Sequence, residues 1–219
     1  MKTAPLIGIS RHRLTTDGEG VTTLVAFHGC PLRCKYCLNP QSLHSEGIWK
    51  HYDCMQLYEE VRLDELYFLA THGGITFGGG EPCLQSDFIY EFRQLCGQEW
   101  QLSVESSLNV PQENIEKLLP VIDYYIIDIK DINNDIYQQY TGKENEKVLN
   151  NLHYLIEHGK NEQIIVRTPI IPVYNSESDV DNSIRLLKEM GITQFDRFTY
   201  KTLNTYPVSY THLTLPTKA

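Results

Sequence analysis

Short apolar runs alternate along the chain with stretches in which apolar residues recur every three or four positions. The runs, rich in β-branched and aromatic residues, read as strands at 21–27, 74–77, 101–105, 124–129, 163–169 and 194–198. Between them, amphipathic stretches at 54–70, 87–97, 111–119, 134–140, 146–158 and 178–190 read as helices. Leu149, Leu152, Leu155 and Ile156 fall on one helical stripe, and Val180, Ile184 and Leu187 on another, so each of these helices has a face to bury. Gly97, Gly159 and Gly191 stand where helix C-caps are expected, each just before the next strand. Strand-helix units in series predict an α/β protein with a mostly parallel sheet, open or barrel-like. Six units fall short of the eight of a closed barrel, so the expected architecture is a (β/α)6 partial TIM barrel. In either form the chemistry gathers at the C-terminal ends of the strands.

Composition narrows the picture. The chain has 219 residues, 41% of them apolar, which suits one globular domain, placed at residues 1–205. Residues 206–219 lack any helical period and carry Pro207 and Pro216 near their ends. Ser209 to Lys218 resembles translated sequencing-adapter read-through, so this irregular tail reads as non-native, an ordinary frayed terminus being the alternative. Nineteen Lys and Arg against 28 Asp and Glu give a net charge of −9, which disfavours nucleic acid and anionic membrane surfaces as partners. No stretch approaches the ~18 apolar residues of a membrane span, and Met1 to Pro5 lead into no signal core, so a cytoplasmic protein is expected. Three of the six cysteines crowd into eight positions, which favours metal or redox chemistry over disulfides.

Those three are Cys30, Cys34 and Cys37, a C-x3-C-x2-C run just after strand 21–27. Three thiolates on one loop can bind three corners of an iron-sulfur cube and leave the fourth iron without a protein ligand. Zinc completed by His28 or Cys54, or plain packing of three thiols, are the alternatives, but structural zinc prefers two separated ligand pairs and no second pair exists. Strand 74–77 runs into Gly78-Gly79-Gly80-Glu81-Pro82, where glycines admit close backbone approach and the carboxylate can accept from a cationic amine. The third strand ends in Glu105, Ser106, Ser107 and Asn109, a carboxylate and three small polar side chains at the active rim, with Ser106 and Asn109 as caps of the following helix the alternative. Asp128 and Lys130 alternate onto one face of the fourth strand end, as a ligand contact or a surface ion pair. Arg167 stands in the apolar fifth strand, where a guanidinium is costly unless an anion meets it. Lys201 follows the sixth strand and either reaches the site or snorkels at the surface.

The segment Phe27 to Pro40, with Tyr36 before the third cysteine and Asn39-Pro40 after it, resembles the cluster loop of the radical S-adenosylmethionine (SAM) enzymes. The Gly79-Gly80-Glu81-Pro82 run resembles their G-G-E-P motif, and Asp128-Ile129-Lys130 resembles the Asp-Leu-Lys of glycyl-radical-enzyme activating enzymes, the pyruvate formate-lyase-activating type. The resemblance spans about Gly8 to Tyr200 and implies a radical SAM core with one [4Fe-4S] cluster on Cys30, Cys34 and Cys37. It implies that SAM chelates the unique iron and that one electron cleaves it to a 5′-deoxyadenosyl radical. Tyr36, Gly79, Gly80, Glu81, Glu105, Ser106, Asp128, Lys130 and Arg167 are its implied cofactor contacts. Lys201 replaces the family's His and shares the implied role. Cys54, Cys83 and Cys96 read as bystanders. The implied partners are a glycyl-radical enzyme as substrate and a flavodoxin or ferredoxin as electron donor, with the chain itself a monomer in an anaerobic setting. A 7-carboxy-7-deazaguanine synthase-like enzyme, an anaerobic ribonucleotide reductase activase and a cluster-bearing electron-transfer module are the alternatives.

Overall fold

A computed structural model describes residues 2–14 and 17–200. Its fifteen strands and helices run β1 (Thr3–Leu14), β2 (Val21–Phe27), β3 (Lys50–Asp53), α1 (Cys54–Val61), α2 (Glu65–Thr71), β4 (Gly74–Gly79), α3 (Ser86–Cys96), β5 (Gln101–Ser106), α4 (Gln112–Leu118), β6 (Tyr124–Asp128), α5 (Asn134–Thr141), α6 (Glu146–Glu157), β7 (Ile164–Ile170), α7 (Glu177–Glu189) and β8 (Gln194–Thr199). The strands form one open sheet in the order β3-β1-β2-β4-β5-β6-β7-β8. From β2 to β8 every neighbouring pair is parallel, so the six strands read from the sequence are the parallel body.

Two antiparallel strands were not legible and extend the sheet at one end: β1 pairs β2, and β3 pairs β1. In β1, Pro5 and Gly8 interrupt the alternation, the register to β2 shifts twice, and His12 adopts φ 56°. β3 is four residues of which only Tyr52 is buried, too short and polar to announce itself. The single helix expected at 54–70 is two helices separated by a 3-10 turn at Arg62–Asp64. Asp64, buried in that turn, accepts from Arg11 Nη1 (2.7 Å) and Thr23 Oγ1 (2.8 Å), which ties the turn to β1 and β2.

Strand alternation sorts the parallel body into two faces. Val25, Phe27, Ile75, Phe77, Leu102, Val104, Tyr125, Ile127, Ile164 and Val166 join the buried core with Phe88, Phe92, Ile115, Leu118, Leu152, Leu155 and Leu187 from the helices. The intervening residues, Thr76, Ser103, Glu105, Asp128 and Arg167, turn to the opposite face. Burying the helix side is the main driving force, at ~25 cal/mol per Å² of apolar surface removed from water. The polar side is therefore left to chemistry. Residues 201–219, which include Lys201 and the tail, lie outside the described residues.

Candidate active site

The loop after β2 carries the three cysteines and is tied to its surroundings by backbone hydrogen bonds. His28 N donates to Pro5 O (2.8 Å), Gly29 N to Ser42 O (2.9 Å), Arg33 N to Thr141 O (2.8 Å) and Lys35 N to Tyr140 O (3.1 Å). The glycine turn after β4 locks onto the same loop: Gly80 N donates to Phe27 O (2.9 Å), Glu81 N to Gly29 O (2.7 Å), and Asn39 Nδ2 to Gly79 O (3.0 Å). Only glycine fits here. A Cβ on Gly80 would stand 2.2 Å from Gly29 O, and Gly79 has φ +92° with the Ala26 backbone 2.9 Å from its missing Cβ.

Glu81 is 1% exposed, and its carboxylate is filled by the protein itself. Oε1 accepts from Ser106 Oγ (2.7 Å) and Cys83 N (3.2 Å); Oε2 accepts from Ser107 N (2.9 Å) and Ser107 Oγ (2.6 Å). Four donors occupy the acceptor places of a carboxylate. Glu81 thus joins the end of β4 to the end of β5. Ser106 and Asn109 do not cap α4, whose N-cap is Pro111 with no side-chain cap bond. Ser107, read from the sequence only as one of three small polar residues at this strand end, supplies two of the four donors.

Across β5, β6 and β7 runs a charged network. Arg167 Nε donates to Asp128 Oδ1 (2.7 Å) and Arg167 Nη1 to Glu105 Oε1 (2.7 Å), while Lys130 Nζ donates to Asp128 Oδ2 (2.9 Å) and to Tyr200 OH (3.1 Å). The register that sets Asp128 beside Arg167 across β6 and β7 makes this pairing a consequence of sheet geometry. Lys130 is buried, so its bond to Asp128 is not a surface pair. The anions that meet Arg167 come from the chain itself, and its third nitrogen, Nη2, is engaged by neither carboxylate. Burial alone would raise the Asp128 carboxyl, but Lys130 and Arg167 reverse that and hold it below the usual range. For Glu105 burial prevails over Arg167, and its carboxyl is raised.

None of the three loop cysteines is in a disulfide. Burial, with the charge of Glu81, pushes the Cys30 thiol to about 12; burial, opposed by Lys130, pushes Cys34 to about 11; Cys37 is also raised by burial. Such thiols stay protonated unless a cationic group compensates, and iron would reverse that balance. Among the described residues no three His, Cys, Asp or Glu converge as a single metal ion requires. The zinc partners considered above are engaged elsewhere: His28 Nε2 lies 2.8 Å from His44 O, and buried Cys54 Sγ donates to Phe88 O (3.4 Å). A cubane asks less, since each thiolate takes its own iron. Three thiols on one loop with no fourth, beside a glycine turn that only backbone can line, are a donor set that fits a cluster with one open iron.

Tyr36 lies in an aromatic group invisible to sequence, because its members come from four separate segments. Its ring centroid is 6.1 Å from that of Tyr140 and 5.8 Å from that of Tyr174; Tyr140 is 5.2 Å from Tyr174 and 6.3 Å from Tyr200. Cys83 is buried with Sγ donating to Ser106 Oγ (3.3 Å), and half-buried Cys96 lies at the end of α3.

Comparison with known proteins agrees with this arrangement. The family described as the radical SAM superfamily matches residues 24–187. The (2S)-3-sulfopropanediol dehydratase activating enzyme of Klebsiella oxytoca is 31% identical over 241 residues, covering 80% of this chain and 74% of that protein. The pyruvate formate-lyase-activating enzyme of Listeria monocytogenes is 30% identical over 204 residues, covering 88% of this chain and 80% of that protein. Among solved structures, Streptococcus suis SuiB bound to S-adenosylmethionine superposes with a TM-score of 0.64 at 14% identity, covering 84% of this chain and 43% of its own, which speaks to the fold alone. This chain therefore spans less than half of that structure. Members of the matched family use a [4Fe-4S] cluster and SAM. The motif loops, the open parallel sheet and these matches together make the chain a radical SAM enzyme, a member of the radical SAM superfamily of the glycyl-radical-enzyme activating type.

Proposed function

We propose that the protein installs a glycyl radical on a partner enzyme. The observation that carries the reading is the joining of the cysteine loop to the glycine turn through Gly80 N, Glu81 N and Asn39 Nδ2. That contact sets three thiols beside a backbone cradle, and relatives about 30% identical to the chain are named as activating enzymes. Cys30, Cys34 and Cys37 hold the cluster. When bound, the cluster and SAM supply one electron and a 5′-deoxyadenosyl radical able to take the Cα hydrogen of a glycine.

The chain's own groups bind and orient. The backbone of Gly79, Gly80 and Glu81 would hold the methionine amine, while the Glu81 carboxylate fixes that backbone against Ser106 and Ser107. Arg167, through Nη2, and Lys130 would hold the SAM carboxylate, while Glu105 and Asp128 keep both cations in place. Tyr36 and its aromatic neighbours keep water from the reacting carbon. Holding that carbon against a target glycine is a positioning task, for which effective molarities of ~10⁵ M or more are attainable.

Anaerobic reconstitution with iron and sulfide, followed by SAM and dithionite, tests the first half. Brown colour and 5′-deoxyadenosine are expected from the unaltered protein, and neither from Cys34→Ala. A glycine-centred doublet by electron paramagnetic resonance, on mixing with candidate glycyl-radical proteins, tests the second. SAM cleavage without a doublet on any of them contradicts the protein-substrate reading.

A further inference from the structure

Most exposed cations of this acidic chain have a local partner. Lys2 and Lys117 pair with Asp87, Arg62 with Glu59, Arg185 with Glu189 and Arg197 with Asp181. Lys50 and Lys188 lie over the rings of Tyr52 and Phe195. Among the described residues, the exposed cations with neither an acid nor a ring are Arg33, Lys35, Lys143 and Lys147. They gather in one place.

Arg33 and Lys35 flank Cys34 on the cysteine loop, and Arg33 Nη1 braces that loop on the carbonyls of Cys30 (2.9 Å) and Leu32 (2.8 Å). Their backbone amides bond to Thr141 O and Tyr140 O, the last residues of α5. Lys143 follows Gly142, the C-cap of α5, and Lys147 lies in the first turn of α6. A Cβ on Gly142 would stand 3.9 Å from Arg33 Cβ, so the loop and the α5–α6 turn form one surface. Glu144 and Glu146 share the turn, yet the face stays net positive on a molecule of net charge −9. Cations left without partners normally pair where acids are plentiful; four left together on and beside the cysteine loop mark a surface shaped for an anion-bearing partner.

We infer that Arg33, Lys35, Lys143 and Lys147 form the docking face for an acidic one-electron donor protein, which delivers its electron at the cysteine loop. The inference rests on the proposed cluster role of Cys30, Cys34 and Cys37. In the step the donor loses one electron and the bound cluster gains it; no bond forms or breaks. A complementary face of this kind raises the association rate and makes it depend on salt.

The test uses the full reconstituted chain and reduced flavodoxin as the probe, comparing the unaltered protein with the double variant Lys143→Glu, Lys147→Glu. Both positions lie outside the cofactor cradle, and a Glu in the first turn of α6 suits the helix N-terminus, so folding is kept. Flavodoxin affinity, read by titration, is expected to fall tenfold or more, and its steep salt dependence to flatten. Dithionite-driven formation of 5′-deoxyadenosine stays unchanged, because that small reductant needs no docking face. Equal flavodoxin affinity and equal salt dependence in both proteins overturn the inference. Loss of dithionite-driven cleavage in the unaltered protein instead strikes the proposed function and leaves the docking result readable on its own.

Discussion

Asp128 holds two cations at once, Lys130 through one oxygen and Arg167 through the other, and Arg167 in turn holds Glu105. Replacing it by Asn removes the shared anion and leaves both cations under-compensated in a largely buried place. Breaking such a pair from one side costs about 3 kcal/mol or more. Asp128→Asn is therefore expected to lower stability by about that amount at neutral pH, read by chemical denaturation under anaerobic conditions. The sign with pH is fixed by the lowered carboxyl. Its contribution is complete above the ordinary value of 3.8 and is lost as pH falls below it, so the gap between the two proteins closes in acid. A gap that widens in acid would refute the assignment. Glu81→Gln tests a neighbouring point, because an amide would set its NH2 against N–H and O–H donors of Ser107 or of Cys83 and Ser106. A loss of about 1–3 kcal/mol is expected from the unsatisfied donors. Sequence pointed to Glu81 by its glycine run, but not to the partners of its carboxylate, since Ser106 and Ser107 lie 25 and 26 residues away.

At the scale of elements, the strand end that holds Glu81 is itself held from a helix with no motif. Leu108, in the loop after β5, is buried at φ 56°, a region costing a branched side chain ~1–2 kcal/mol. Buried Asn151 of α6 donates from Nδ2 to Leu108 O (2.8 Å) and Val110 O (2.9 Å), and Leu108 N donates to Ser106 Oγ (2.8 Å). An Asp at 151 would turn a carboxylate on two carbonyl oxygens. Asn151→Asp is expected to cost about 3 kcal/mol at neutral pH and less near pH 5, because the buried carboxyl is raised and its protonated form can donate one bond. SAM affinity should weaken along with stability, since Ser106 loses its fixed loop; unfolding midpoints and SAM titration at both pH values check this, and a pH-independent loss would count against the clamp. The parallel strands were legible to within one or two residues because they are short apolar runs, rich in β-branched and aromatic residues and buried between neighbouring strands. β1 and β3 were not, since their pairing is decided by distant partners rather than local pattern, and Asp64 breaks the 54–70 helix through bonds to Arg11 and Thr23 that no local period reveals.

For the whole molecule, the sheet is unevenly protected, and the unevenness bears on the site. β4 is buried along nearly its whole length and bonded on both sides, whereas among the described residues β8 has one neighbour and no fully buried residue, and β3 at the opposite edge buries only Tyr52. Edge strands with little apolar burial open with free energies well below that of global unfolding. The charged network stands on β5, β6 and β7, inside that edge; among the described residues Tyr200, just past β8, connects the network to it through Lys130. Local opening of β8 therefore removes one neutral acceptor from Lys130 and leaves its bond to Asp128 in place. Amide hydrogen exchange is expected to proceed first in β3 and β8 and last in β4 and β5, and Tyr200→Phe should speed exchange at β8 without altering β5. Equal exchange free energies across all eight strands would mean that the sheet opens only as one unit, and the separation between a labile edge and a fixed charged centre would fall.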